Sequence, residues 1–189
     1  MANITVIYDA NVLYPAPLRS ILMYLATRHL FRARWTLDIH QEWIRNLLAK
    51  RTDLTQKQLE IQRDLMIQAI PDSLIEGYQT IIQELTLPDP DDRHVLAAAI
   101  RAKAETIVTM NLKDFPADIL NRYDIRAQHP DDFIIELFRL SPFQVLTTFK
   151  EDRNHYLSPP YSAERYLNIL KRQGLANTVA HLESYSALL

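Results

Sequence analysis

A three-layer α/β/α fold, with a central and mostly parallel sheet followed by a set of C-terminal helices, is predicted by three observations. Short apolar runs rich in β-branched residues (ITVIY, TIVT) alternate with longer stretches of helical periodicity. Those runs show no in-and-out alternation, as expected of strands buried on both faces. The composition changes after Ala127, where four further helical patterns follow without strands between them.

In order, Ile4 to Tyr8 reads as the first strand. DANVLYPAP follows as a loop, and Leu18, Ile21, Leu22 and Leu25 then recur at helical spacing to about Leu30. RWTLDI is a second short strand. His40 to Arg51 is an amphipathic helix with Trp43, Ile44, Leu47 and Leu48 inward and Glu42 in its first turn. Thr55 to Ile70 is another, with Leu59, Leu65, Met66 and Ala69 inward and Pro71 as its stop. SLIEGY is a minor strand, and a short helical turn covers Ile81 to Leu85. Asp91 or Asp92 caps an alanine-rich helix to about Ala104. Thr106 to Thr109 and Tyr123 to Arg126 complete the strands. Crossovers between parallel strands are right-handed, and helices cover both faces. Beyond this, helices start at Pro130, at Ser141 with Pro142 in the first turn, at Ser162, and in LANTVAHLESYSALL. The expected organisation is a domain at 1–130 and a helical extension at 131–189, with the SPP stretch as the best break inside the helical part.

The chain of 189 residues is long enough for one such domain with a small appended unit. It has 2 glycines, and neither GxGxxG nor GxxxxGK[ST] occurs, so a glycine-built phosphate cradle is excluded. It has no cysteine, which excludes disulfides, thiolate metal sites and a cysteine nucleophile. The N-terminus does not read as a signal peptide, and no stretch reaches the roughly 18 apolar residues of a membrane span. A cytoplasmic protein with no membrane partner is expected. A formal net charge of −2 argues against a broad nonspecific nucleic-acid coat.

Four acids fall at the edges of apolar runs. Asp9 ends ITVIYD, Glu42 lies in HQEWIRNLLAKR, Asp92 opens DRHVLAAAI, and Asp114 follows TIVT in TMNLKDF. Alone, each has a bland account as a turn, first-turn or capping residue. Together they lie where a doubly wound sheet gathers its strand ends. Crowded carboxylates hold protons or a divalent cation, the chemistry of a metal-dependent nuclease.

YDANVLYP, the glutamate of IHQEWIRNL, DPDDRHVLAAAI and TIVTMNLKDFP, in that order, resemble PIN-domain ribonucleases, in particular the VapC-type toxins of bacterial toxin–antitoxin pairs. The resemblance covers roughly residues 1 to 130, and the helices after it look like an extension found in one branch of these toxins. It implies a PIN-like fold and a site holding Mg²⁺ or Mn²⁺. It implies Asp9, Asp92 and Asp114 as metal ligands, with Asp92 preferred over Asp89 and Asp91. It makes Glu42 the fourth catalytic acid, binding through water or orienting the nucleophile. Asn11, Thr109 and Asn111 become supporting groups that fix the carboxylates. Asn111 departs from relatives that carry an acid near there, which leaves the metal count open.

Candidate substrate contacts are Arg19, Arg45, Arg93 and Lys113, each near one of the motifs and Arg93 the foremost because it adjoins Asp92, with Tyr14 able to stack on a base and His94 as a candidate acid. Trp43 is expected to be buried. His40, His129, His155 and His181 show no metal-ligand spacing. The leading expectation is an endoribonuclease toxin with an RNA substrate. A cognate antitoxin helix is expected to lie beside Leu18, Leu22 and Leu25, and homodimerisation is expected by analogy. The alternatives are a housekeeping RNA-processing nuclease and a noncatalytic interaction module. A DxD phosphatase ranks low because its second aspartate is Asn11 here.

Overall fold

The computed structural model describes residues 4–185 and 188–189. Two compact units appear. One holds the chain through Tyr14 together with Phe31–His129, and the other holds Pro15–Leu30 together with the chain from Pro130 onward.

In the first unit, β1 (Thr5–Tyr8) leads into the one-turn helix α1 (Ala10–Leu13). A loop is therefore not what DANVL forms: Asp9 accepts from the Ala10 N–H and starts a helical turn instead. The next helix, α2 (Ala16–Ala26), belongs to the second unit. After it, β2 is Arg32–Arg34 and α3 is Leu37–Lys50. The RWTLDI strand is displaced because Thr36 caps α3, its hydroxyl accepting from the Ile39 N–H at 3.1 Å. Glu42 consequently stands in the second helical turn, not the first. Trp35 keeps a single parallel bridge to Leu74, which is all that SLIEGY contributes among the described residues.

A capping box at Thr55 and Gln58 opens α4 (Gln56–Ala69). Leu59 and Met66, seven residues apart, define its inward stripe, so Leu65 and Ala69 fall off it; Leu65 is 54% exposed. The short α5 (Gln79–Ile82) and a 3₁₀ turn at Pro90–Asp92 precede α6 (Arg93–Ala102). Ala97, Ala98 and Ala99 are fully buried and let α6 pack closely on β1 and on β3 (Thr106–Val108). A 3₁₀ turn at Leu112–Asp114 and α7 (Ala117–Leu120) follow. The last strand, β4, is Arg126–Gln128, later than expected. Asn121–Tyr123 is a 3₁₀ turn, and Asp124 takes a left-handed conformation (φ 57°), which aspartate tolerates and a strand does not.

The four strands are all parallel in the order β2-β1-β3-β4. Every residue of β1 and β3 is buried, so both faces of the sheet are covered, as in a three-layer α/β/α fold. The chain leaves β1 toward β2 on one side and β3 on the other. The carboxyl ends of β1 and β3 therefore flank a topological switch point, the usual ligand crevice of such sheets.

The second unit is helical: α2, α8 (Pro130–Leu140), α9 (Pro142–His155), α10 (Ala163–Arg172) and α11 (Ala176–Glu183). Ser162 caps α10 by accepting from the Arg165 N–H, whereas Ser141 makes no side-chain cap bond. The SPP stretch is a loop inside this unit, between α9 and α10, and not a break between compact parts. α2 packs on α9 and α10. Leu18, Leu22 and Leu25 are fully buried, so they form core and offer no open groove to a partner helix. Arg19 is also buried (8% exposed), and burial lowers its pKa to about 10, which removes it as a surface contact for a substrate. Among the described residues, no helix is long and apolar enough to cross a membrane.

Candidate active site

The switch point carries the acids. Asp9 follows β1 directly and is 2% exposed. Its Oδ1 accepts from the Ala10 N–H (2.6 Å), and its Oδ2 accepts from Asn11 Nδ2 (2.6 Å) and Thr109 Oγ1 (2.7 Å). Thr109, one step past β3, also accepts from Asn11 Nδ2 (2.9 Å) and the Asn111 N–H (3.0 Å). Asn11 Oδ1 accepts from the Met110 N–H at 3.0 Å. This lattice stitches the ends of β1 and β3 together and fixes the Asp9 carboxylate in one orientation. Burial pushes Asp9 up to about 6; the Thr109 hydrogen bond works against that, and the charge of Glu42 adds to it.

Asp92 sits at the start of α6 but makes no side-chain cap bond. Capping at this corner falls to Asp89, which accepts from the Asp91 N–H (2.9 Å) and leaves Asp92 free. Burial, then the charges of Asp9, Asp89, Asp114 and Glu42, push the Asp92 carboxyl up to about 7. Asp114, nearly buried on its 3₁₀ turn, accepts from Asn111 Nδ2. Carboxylate oxygens of Asp89, Asp92 and Asp114 lie within 4.8 Å of one another. Asp9 is not one of that trio, yet its charge is the largest electrostatic contribution raising Asp92. Asp89, set aside above in favour of Asp92, thus joins the acidic group. Nothing local in DPDD distinguishes its three acids; the 3₁₀ turn does.

Glu42 comes from α3. Asp38, Gln41, Glu42 and Arg45 stand at i, i+3, i+4 and i+7 and make one polar stripe, legible in the sequence. Next to it run Ile39, His40, Trp43, Ile44 and Leu47, all buried, which anchor the helix. Trp43 Nε1 donates to His40 Nδ1 at 2.9 Å, so His40 serves the core. The stripe lines a cavity of about 460 Å³ together with Asp89, Asp91, Asp92 and His94. Asp38 is held by the Tyr78 hydroxyl at 2.5 Å. His94 Nε2 lies 3.2 Å from Glu42 Oε2. Burial alone lowers the His94 pKa, but the hydrogen bond and charge of Glu42, with Asp38 and Asp9, outweigh it and raise it.

Of the expected substrate contacts, Arg93 Nε donates to the Pro90 carbonyl (2.8 Å). Lys113 is exposed on the Leu112–Asp114 turn. Tyr14 closes α1, half-buried, with Lys50 Nζ 5.6 Å from its ring centre. None of these three lines the cavity. The donor set of the site is carboxylate oxygen, crowded enough to hold protons near neutrality. That suits a hard divalent cation, which replaces those protons and relieves the repulsion.

Residues 5–113 match the PIN domain model, and residues 130–184 match the VapC50 C-terminal domain model. A curated relative, "Putative ribonuclease VapC50" of Mycobacterium tuberculosis (strain ATCC 25618 / H37Rv), is 44% identical over 82 residues. That stretch is 43% of this chain and 48% of the relative, so the match spans about half of the relative's length. No solved structure matches the chain.

Proposed function

The chain belongs to the PIN-domain family, and from that premise we propose that it is a Mg²⁺- or Mn²⁺-dependent endoribonuclease, the toxin of a toxin–antitoxin pair. The observation that carries this reading is the meeting of Asp9, Glu42, Asp92 and Asp114 around the carboxyl ends of β1 and β3, with Asp89 added. Asp9, Asp92 and Asp114 would hold the ion, and Asp89 is within reach of the last two. When bound, the ion would supply a more acidic water and positive charge to offset that of the phosphodiester.

The protein's own residues do the rest. Three donors prevent the Asp9 carboxylate from turning away, and Asn111 does the same for Asp114. Glu42, steadied by His94, faces the cavity where a water must be oriented and its proton received. Attack on phosphorus breaks the bond to the 3′ oxygen, leaving a 5′-phosphate and a 3′-hydroxyl. No base is read by these groups, so RNA choice rests on contacts around the cavity, among them Arg93, Lys113 and Tyr14. The match of residues 130–184 to the VapC50 C-terminal domain supports the toxin role and, with it, a cognate antitoxin partner. A homodimer and a cytoplasmic setting belong to the same reading.

The test is cleavage of RNA by the purified chain with Mn²⁺, with and without EDTA, beside Asp9→Asn. Loss of at least about a thousandfold in rate is expected on chelation and in the variant. Growth arrest on expression of the wild type, absent for the variant, is expected of a toxin. Cleavage that persists in EDTA and in Asp9→Asn would sink the reading.

A further inference from the structure

The cavity beside the metal site is lined by Asp38, Glu42, Asp89, Asp91 and Asp92. An RNA phosphate entering it meets carboxylates on several sides, and a bound ion offsets only part of that charge. Two lining residues are basic, Arg45 and His94. His94 is committed to Glu42 at 3.2 Å. Arg45 is the other. Among the described residues its guanidinium has no hydrogen bond or ion pair, although carboxylates surround the cavity it lines.

Its place on α3 is fixed by the same pattern that fixes Glu42. Glu42 and Arg45 are three residues apart on the polar stripe, and the buried stripe of Trp43, Ile44 and Leu47 holds that face toward the cavity. The other basic candidates are placed differently. Arg19 is buried in the second unit, Arg93 is tied to the Pro90 carbonyl, and Lys113 does not line the cavity.

We propose that Arg45 is the substrate-positioning residue of this site, binding through its guanidinium fork the non-bridging oxygens of an RNA phosphodiester in the cavity beside the scissile one. Arginine stays charged at every pH at which the enzyme works, and its planar donors match two phosphate oxygens at once. The inference rests on the ribonuclease reading above and deepens it.

The full chain, with Mn²⁺ and a single-stranded RNA oligonucleotide, provides the test, using Arg45→Gln and Arg45→Lys. For Arg45→Gln, KM rises about tenfold while kcat changes less. The slope of log affinity against log salt falls by about 0.7, the share of one phosphate contact on a single strand. Arg45→Lys restores the salt slope but only part of the KM, because the charge returns without the fork. Mn²⁺ affinity, measured without RNA, is not weakened in either variant. Wild-type cleavage with an unchanged KM and salt slope in Arg45→Gln overturns the Arg45 assignment alone. Weakened Mn²⁺ binding overturns it too, since the residue would then act on the metal site. A wild type that neither cleaves nor binds RNA removes the ribonuclease reading and this inference with it.

Discussion

Thr109 Oγ1 makes three hydrogen bonds in the site: it donates to Asp9 and accepts from Asn11 and from the Asn111 backbone. Thr109→Val keeps the shape and removes all three. Mn²⁺ affinity is expected to fall about 10- to 100-fold, because the Asp9 carboxylate loses a donor that orients it. Isothermal titration reads this directly, and an unchanged affinity would show that the lattice does not support the metal site. Glu42, in the second turn of α3, and Asp114, on its 3₁₀ turn, take their places from the fold, whereas Asp9 and Asp92 were readable in the sequence because one ends a strand and the other begins a helix. Asp89 and the His94–Glu42 pair were not. Which acid of DPDD faces the group depends on a 3₁₀ turn, and the pair joins residues 52 apart on different helices.

At the scale of the element, α3 matters most, because Glu42 and Arg45 share it. Its start is set by Thr36, which is fully buried with its hydroxyl on the Ile39 N–H. Thr36→Ala is expected to cost about 1 kcal/mol of stability by urea unfolding, with an unchanged m-value. A cost near zero would mean that burial of Trp43 and its neighbours alone holds the helix start. The same cap explains why the second strand stops at Arg34. RWTLDI looks extended by residue type, but a three-residue strand followed by a capping threonine leaves too short a period to separate strand from helix. The long helices were legible because periodicity accumulates over many residues. In α4 the apolar pattern is broader than the buried stripe: Leu65 and Ala69 continue the pattern, but the Leu59–Met66 repeat points away from them.

For the whole molecule, pH acts through the site. The folded-state values of Asp9 and Asp92, about 6 and about 7, lie above the ordinary aspartate value of 3.8. The folded chain therefore keeps protons that the unfolded chain releases, and this stabilising contribution is present in full below about pH 4 and lost as pH rises through 6 and 7. The raised pKa of His94 acts in the same direction. In EDTA the thermal midpoint should climb as pH is lowered from about 8 to about 6, and saturating Mg²⁺ should flatten the climb. A midpoint that drops over that window would contradict the crowding of these carboxyls. The division into units was the part of the fold least visible beforehand. Periodicity showed that α2 has an apolar face, but not that helices from the far end of the chain cover it. Ser20 and Asp152, bonded at 2.5 Å, are 132 residues apart. During translation α2 leaves the ribosome well before α9 and α10, and its leucines wait for them on the order of ten seconds at ordinary elongation rates. The second unit closes only after α9 and α10 have been made, so a nascent chain stalled before α9 carries an uncovered, sticky helix until synthesis resumes.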